Sequence, residues 1–195
     1  MFSLQDLLGQ QQGSEALEQI SGQVGAEPSL VNTAIQAAFG ADVLAHEEAF
    51  GMLNIEMTPS RIHDAIQWLQ QHQDLSVNYL TNIAGVHYPE AVGREFAVVY
   101  QLHSWKNNLR LRIKGYLPKE NLHIATITDL FAGANWMERE TYDFFGIIFD
   151  GHPDLRRILN MDDMDYFPMR KEYVLEDATR EDKDDRFFGR NNNEL

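Results

Sequence analysis

Apolar and polar residues alternate over several stretches of the chain, and this alternation predicts β-strands. The clearest case is a hairpin in which the strands 95–103 and 109–117 are joined by the turn 104–108. The second strand places apolar and basic residues at alternate positions, with Leu109, Leu111 and Ile113 set against Arg110, Arg112 and Lys114. Because successive side chains of a strand point to opposite sides, this strand has one buried face and one basic face.

The same reasoning predicts the remaining elements. Further strands are predicted at 41–46, 51–57, 75–87, 122–128 and 147–149, with a turn at Glu47-Glu48 between the first two. Helical spacing predicts helices at 4–8, 16–24 and 30–39, a helix after Pro59 with the stripe Ile62, Ala65, Ile66 and Leu69, and a helix that follows Asn135. Helices gathered over a mixed or antiparallel sheet imply a two-layer α+β domain.

The chain divides into three predicted parts. Residues 1–29 form a polar, Gln-rich helical extension, and residues 30–159 form the α+β domain. Residues 160–195 carry eleven Asp or Glu against six Lys or Arg, which is too polar for a core. This last part is predicted to be an extended acidic arm.

The stretch from Trp136 to Leu159 is the densest mixture of charged and aromatic residues in the sequence. Asn135 is predicted to cap its helix together with Glu138 in a capping box, and Gly146 to end it. Met137, Thr141, Phe144 and Phe145 fall on one side at helical spacing. Arg139 and Asp143, four residues apart, are predicted to pair on the other side.

This helix allows two interpretations. A capped amphipathic helix with a few ion pairs is ordinary architecture. However, Glu138-Arg139-Glu140 supplies more charge than capping needs, and the pair Phe144-Phe145 stands beside it. Mixed charged and aromatic residues are typical of interfaces between subunits, which is the interpretation we favour.

Composition narrows the possible functions. The chain has no cysteine, which excludes disulfides and metal sites ligated by its own thiolates. A formal net charge of −14 argues against a nucleic-acid partner, and no apolar run approaches the length of a membrane span. The one strong basic patch, on strand 109–117, is either a solvated face or a docking surface for an acidic neighbour or for the chain's own acidic tail.

An active site within this chain is not expected. Glu138, Glu140, Asp143 and His152 suggest a metal or an acid–base pair, but no His pair lies at helical ligand spacing. No Gly-rich phosphate loop follows a predicted strand, and no serine has the Gly-x-Ser-x-Gly context of a nucleophile elbow. These signals predict a chain without catalytic, cofactor-binding or metal residues.

The run from Glu138 to Leu159 resembles the signature of the C-type, or 30 kDa-type, subunit of the proton-pumping NADH-quinone oxidoreductase, respiratory complex I. Every position of that signature is filled, by Glu138, Arg139, Glu140, Asp143, Phe144, Phe145, His152, Arg156, Ile158 and Leu159. The resemblance extends weakly from about Phe39 to about Tyr173. It implies that the arm runs over a neighbouring subunit, with Phe167, Tyr173 and Phe187 as its anchors. It implies that the charged residues of the helix bond within and across a subunit interface, and that His152 and Arg156 fix the following loop.

What the resemblance implies is a cofactor-free accessory subunit of the peripheral arm of the complex, on the cytoplasmic side of the bacterial inner membrane. Its partners would be the D-type subunit, which forms the quinone site, and the B-type and I-type subunits, which carry iron–sulfur clusters. Iron–sulfur clusters, FMN and quinone would all be held by partner subunits, which carry electrons from NADH to quinone while protons are translocated.

Two alternatives remain open at this point. Equivalent subunits occur in related membrane-bound hydrogenases and in quinone oxidoreductases fed by ferredoxin. A free-standing acidic interaction module, with no redox partner, is the second alternative. Co-purifying proteins would distinguish all three.

Overall fold

The computed structural model describes residues 10–13, 15–16 and 27–173. Its main helices are α1 (Pro28–Phe39), α2 (Ile62–Gln71) and α3 (Ala134–Phe145). The strands are β1 (Val43–Ala49), β2 (Met52–Met57), β3 (Tyr79–His87), β4 (Phe96–Ser104), β5 (Leu109–Leu117), β6 (His123–Ala125) and β7 (Ile148–Asp150). The helix predicted at 4–8, nearly all of that at 16–24, and Phe187 lie outside the described residues.

Five of the strands form one mixed sheet in the order β1-β2-β5-β4-β3. The β4–β5 hairpin is confirmed, with Tyr100 opposite Ile113. β2 and β5 run parallel, whereas the other neighbouring pairs are antiparallel. β6 and β7 form a separate two-stranded parallel sheet. These two short strands lie on either side of α3 in the chain and so bracket the predicted interface helix.

The core lies between this sheet and the helices. Val31 and Ile35 of α1 and Ile62 and Ile66 of α2 join Tyr100 of β4 in one cluster, each at most 1% exposed. Full burial of an aliphatic side chain contributes about 1.5–3 kcal/mol of hydrophobic stabilisation. α3 packs beside them over β3. The opposite face of the sheet is covered by none of the described helices, so the two-layer α+β fold is confirmed.

The close packing of α3 on β3 depends on a glycine. A Cβ atom at Gly85 would lie 2.5 Å from a ring carbon of Phe145 and 3.0 Å from the Thr141 methyl group. Because Gly85 has no side chain, the helix can approach the strand closely. This contact positions the aromatic end of α3 beside the sheet edge.

The turn between β1 and β2 falls at Phe50-Gly51, so the predicted turn at Glu47-Glu48 is wrong. Phe50 has φ 55° and Gly51 has φ 68°. Two successive residues with positive φ make the tight turn that suits the twist of a hairpin. Glu47 and Glu48 extend β1 instead, since an edge strand tolerates charged side chains that face water.

Residues 160–173, which we call the return segment, run back over the chain's own domain. The Met169 amide donates to the Phe144 carbonyl at 3.2 Å, and Arg170 Nε donates to the Phe145 carbonyl at 2.8 Å. Phe167 packs edge-on against Tyr142 at 6.0 Å between ring centroids. Phe167 therefore contacts α3 of its own chain, and its anchoring on a neighbouring subunit stays a prediction.

Candidate functional site

The first turn of α3 is fixed by hydrogen bonds to the segment that precedes it and not by a side-chain cap. The helix begins at Ala134, so Asn135 lies inside it, and no side chain caps its start. Glu138 is fully buried and accepts hydrogen bonds from the Ile127 amide at 2.8 Å and the Thr126 hydroxyl at 2.5 Å. The predicted capping box is therefore wrong, because Glu138 receives its donors from the segment that leads into the helix.

Burial also changes the acidity of Glu138. Removal of its carboxylate from water raises its pKa to about 7, although the Ile127 and Thr126 hydrogen bonds oppose the shift. Glu138 is thus the one buried carboxyl of α3 whose protonation changes near neutral pH. Its bonds to the Thr126 hydroxyl and the Ile127 amide tie this group to the segment that leads into α3.

Asp143 is the other buried carboxyl of α3, and it holds the loop that follows β7. Its Oδ1 accepts from Arg157 Nη1 at 2.8 Å. Its Oδ2 accepts three successive backbone amides, those of Ile158 at 3.1 Å, Leu159 at 2.8 Å and Asn160 at 2.9 Å. Burial alone would raise the pKa of Asp143, but these amides and the Arg157 guanidinium outweigh it and hold the pKa well below its usual range.

Arg157 connects three parts of the site. Besides its bond to Asp143, it donates through Nη2 to the carbonyls of Met164 at 2.7 Å and Tyr166 at 2.9 Å. Its guanidinium also lies 5.0 Å from the centre of the Phe167 ring. The sequence interpretation named Arg156 and missed Arg157, since two adjacent arginines look alike in a sequence. The Arg156 side chain is 68% exposed, and Asp154, at 2.9 Å, is its one ion-pair partner among residues 27–173.

Arg139 and His152 hold the same loop through its backbone. Arg139 donates to the carbonyls of Arg156 at 3.1 Å and Arg157 at 2.9 Å, so its predicted pairing with Asp143 is wrong. His152 Nε2 lies 3.2 Å from the Asn135 carbonyl, and its Nδ1 accepts the Asp154 amide at 3.0 Å. These two bonds require the neutral ring to carry its proton on Nε2. His152 therefore does fix the loop, as predicted, whereas Arg156 does so only through its carbonyl.

Gly146 ends α3, as predicted, with φ 74° and its amide bonded to the Tyr142 carbonyl at 2.8 Å. A Cβ atom here would lie 2.6 Å from both Arg170 Nη2 and a ring carbon of Phe167. We expect Gly146→Ala to lower the free energy of unfolding by about 2–4 kcal/mol, from the left-handed backbone and from displacement of the return segment.

Gly93→Ala is the matched control for this prediction. Gly93 has φ 78° but nothing within 4 Å of a Cβ atom, so this variant carries the backbone cost alone, about 1 kcal/mol. Denaturant unfolding of both variants separates the two effects. Equal losses of stability would show that the return segment does not pack tightly on Gly146.

The remaining residues of the predicted site lie wholly or partly at the surface, although Phe145 also packs against Gly85. We call Glu140, Phe144, Phe145, Arg156 and Leu159 the signature surface. Glu140 is exposed, Leu159 is 65% exposed, and the two phenylalanines are half-buried. Beside them a hollow of about 250 Å³ opens between β3, α3 and the return segment, with Gly85, Thr141, Phe145 and Met169 in its lining. Ile158 is half-buried and contributes its amide to Asp143.

The ten residues named from the sequence thus separate into two groups. Glu138 is bonded to the segment that leads into α3, whereas Arg139, Asp143 and His152 hold the loop that follows β7. Among the described residues, no group of three or more His, Asp or Glu side chains is placed to hold a metal ion. Within the same ranges, none of the helices has both the length and the apolar character needed to cross a membrane.

The fold and the site define a two-layer α+β domain whose buried charges hold its own loop and whose aromatic signature surface faces outward. The family model described as respiratory-chain NADH dehydrogenase, 30 kDa subunit, matches residues 55–179. The chain belongs to this family. The family resemblance carried by the signature residues is therefore confirmed.

Named relatives agree with this assignment. The chain is 42% identical to the C 2 subunit of the NADH-quinone oxidoreductase of Rhizobium meliloti over 144 residues, which cover 73% of this chain and 78% of the relative. It is 41% identical over 143 residues to the C subunit of the NADH-quinone oxidoreductase of Roseiflexus sp., covering 72% and 80% respectively.

Two solved structures share the fold. A trypsin-resistant fragment of Nqo5 is 32% identical, with a TM-score of 0.55 over 64% of this chain and 98% of the fragment. A chain of an archaeal membrane-bound sulfane sulfur reductase has a TM-score of 0.65 over 75% of this chain and 85% of its own length. Its identity of 19% makes it evidence for the fold alone.

Proposed function

We propose that this chain is a structural subunit of the peripheral arm of an NADH-quinone oxidoreductase, respiratory complex I. In this role it carries out no chemistry itself. It holds the electron-transfer subunits in register, so that electrons pass from NADH through iron–sulfur clusters to quinone with coupled proton translocation. The support comes from the family match and from relatives that are named as the C subunit of this enzyme.

One structural observation carries the proposal. The buried charges of α3 are satisfied by the chain's own amides, carbonyls and guanidinium groups, which leaves none of them free for a substrate. A carboxylate that accepts three amides and an arginine fixes a loop with high precision. That loop exposes Leu159 and Arg156, and Asp143 bonds it to α3, which carries Phe144 and Glu140. An internally fixed, partly apolar surface of this kind suits docking to another subunit.

We assign the neighbours by the family's architecture. The signature surface would contact the D-type, quinone-site subunit, and the B-type and I-type iron–sulfur subunits would lie close by. FMN, quinone and the clusters would belong to partner subunits, because this chain contains no cysteine to ligate a cluster. The subunit would then lie on the cytoplasmic side of the membrane, attached only through the complex.

The test is an affinity purification of the tagged, full-length chain from gently solubilised membranes, with identification of its companions and an assay of NADH-driven quinone reduction. Recovery of quinone-site and iron–sulfur subunits with that activity supports the proposal. Recovery of clusters with a hydrogenase or a ferredoxin-fed donor module would keep the structural role in a different enzyme. A chain recovered alone would contradict the proposal.

A further inference from the structure

The open face of the sheet carries a second group of side chains. In register across the strands stand Tyr79 of β3, His103 of β4 and Arg110 of β5. Because Leu53 pairs with Leu111, Met52 of β2 continues the same row. These residues border a hollow of about 210 Å³. Four neighbouring strands of the sheet therefore contribute to one surface.

Aromatic residues gather at this end of the sheet. Trp105, in the β4–β5 turn, stacks on His103 at 5.6 Å and meets Tyr79 edge-on at 5.6 Å between centroids. Trp105 remains 66% exposed and Tyr79 45% exposed. Exposed aromatic rings beside methionine and arginine match the composition of interface hot spots and not that of ordinary surface.

The neighbouring β1–β2 turn adds a strained aromatic residue at the same end of the sheet. Phe50 has φ 55° and its side chain is fully exposed. A positive φ is unfavourable for a residue with a bulky side chain, and asparagine or glycine is the usual choice in such a turn. Its exposed ring adds apolar surface to this end of the sheet.

Charge at this surface is unbalanced. Arg110 is exposed and forms neither an ion pair nor a hydrogen bond with any described residue. The buried Nε2 of His103, next to it in register, also has no hydrogen-bond partner there. The acidic residues nearest by register on this face are Glu47 of β1, opposite Asn54 in the Arg112 row, and Glu56 of β2, which pairs with Arg94 at 2.7 Å. Neither bonds to Arg110, so a carboxylate from outside the described residues would complete this surface.

We propose that this surface, which we call the aromatic patch (Phe50, Met52, Tyr79, His103, Trp105 and Arg110), docks a segment of another protein that carries an apolar side chain next to an Asp or Glu. The apolar side chain enters the hollow beside Trp105 and Tyr79. The carboxylate bonds to the exposed Arg110. Arginine presents several donors to a carboxylate, so one acidic side chain can satisfy it.

A second copy of this chain fits the patch poorly. In a two-fold symmetric contact the same surface faces itself, so that Arg110 would approach Arg110 without an intervening carboxylate. The proposed occupant is therefore a different chain. The inference goes beyond the signature surface, since it assigns the other face of the sheet to a separate contact.

The test uses a zero-length carbodiimide crosslinker, which joins an amine to a carboxylate only when the two touch. Arg110→Lys keeps the positive charge and supplies the amine, and Arg110→Gln lacks it. Each full-length, tagged variant is treated in gently solubilised membranes, purified, and mapped by mass spectrometry. We expect a crosslink from position 110 to an Asp or Glu of another protein with Arg110→Lys, and none with Arg110→Gln.

Truncation of the patch separates this contact from general proximity. Adding Trp105→Ala to Arg110→Lys should reduce the crosslink yield about tenfold or more, as loss of a hot-spot aromatic does. Adding Val92→Ala, at a residue 92% exposed in the β3–β4 loop, should leave it unchanged. Crosslinks only to this chain's own carboxylates, including those of residues 174–195, only to a second copy, or to nothing would overturn the inference.

The proposed function and this inference can fail separately. Recovery of the chain without respiratory subunits, but with the position-110 crosslink to another protein, would leave the aromatic patch standing. Recovery in the respiratory complex with no such crosslink would remove the patch and leave the proposed function intact.

Discussion

Asp143→Asn is expected to lower the free energy of unfolding of the purified chain by about 3–5 kcal/mol. The side chain is fully buried and accepts from Arg157 and from the amides of Ile158, Leu159 and Asn160. Asparagine keeps the shape but removes the charge, and so leaves the 9%-exposed Arg157 side chain without a counter-ion. Its amide nitrogen also brings a donor to a site that needs only acceptors. Urea denaturation measures the loss.

Asp154→Asn is the control for this variant. Asp154 pairs with Arg156 at 2.9 Å, but both side chains are more than half exposed, at 56% and 68%. An exposed pair of this kind contributes about 0–1 kcal/mol, so the control should unfold almost as the wild type does. A loss below about 1 kcal/mol for Asp143→Asn would refute the idea that this carboxylate holds the loop.

The second large effect concerns pH. Glu138 has a folded-state pKa of about 7 against an ordinary value of 4.5. Between these values the folded state binds a proton that the unfolded state has released, so the free energy of unfolding falls as pH rises through this window. The shift corresponds to about 3 kcal/mol. Glu138→Gln, which cannot titrate, should remove this slope, and the difference between variant and wild type should change by about 3 kcal/mol from pH 4.5 to pH 8.

The difference in free energy of unfolding between Glu138→Gln and the wild type reports the titration of Glu138 and not that of other groups. Burial lowers the pKa of His87, whose Nδ1 accepts the Lys171 amide, so His87 contributes stability that is lost as pH falls below its ordinary value of 6.5. That contribution is present in both proteins and cancels. Glu140→Gln, on the exposed side of the same helix, should leave the slope unchanged. If the pH dependence of the free energy of unfolding were unchanged in Glu138→Gln, another titrating group would be its cause.

The fold could be predicted largely from local patterns. The alternation in 109–117 and the stripe Ile62, Ala65, Ile66 and Leu69 each report burial on one side, and that burial is what the sheet and helix faces require. The β1–β2 turn was predicted at the wrong residues because Phe50 adopts a backbone conformation that is unfavourable for phenylalanine. Sequence reasoning has no local signal for such a choice.

The site could be predicted only in part, for a physical reason. Helix α3 and its end at Gly146 could be predicted from the residue spacing and residue types. The partners of Glu138, Arg139 and Asp143 do not, since each bonds to a segment that the tertiary fold brings near. Helical spacing therefore predicted that Arg139 pairs with Asp143, whereas in the structure Arg157 is the partner of Asp143. The aromatic patch was missed for the same reason, because the parallel pairing of β2 with β5 is not visible in either strand alone.

The most direct test of the structural role compares how much complex assembles with how fast each assembled complex turns over. Leu159→Gln replaces an outward side chain, 65% exposed, of the signature surface, and Leu44→Gln makes the same change on β1 at 57% exposure. For Leu159→Gln we expect assembled complex to fall about tenfold, with NADH-driven quinone reduction per assembled complex unchanged. Leu44→Gln should alter neither quantity. Normal abundance of the complex with slowed electron transfer in Leu159→Gln would contradict the structural role.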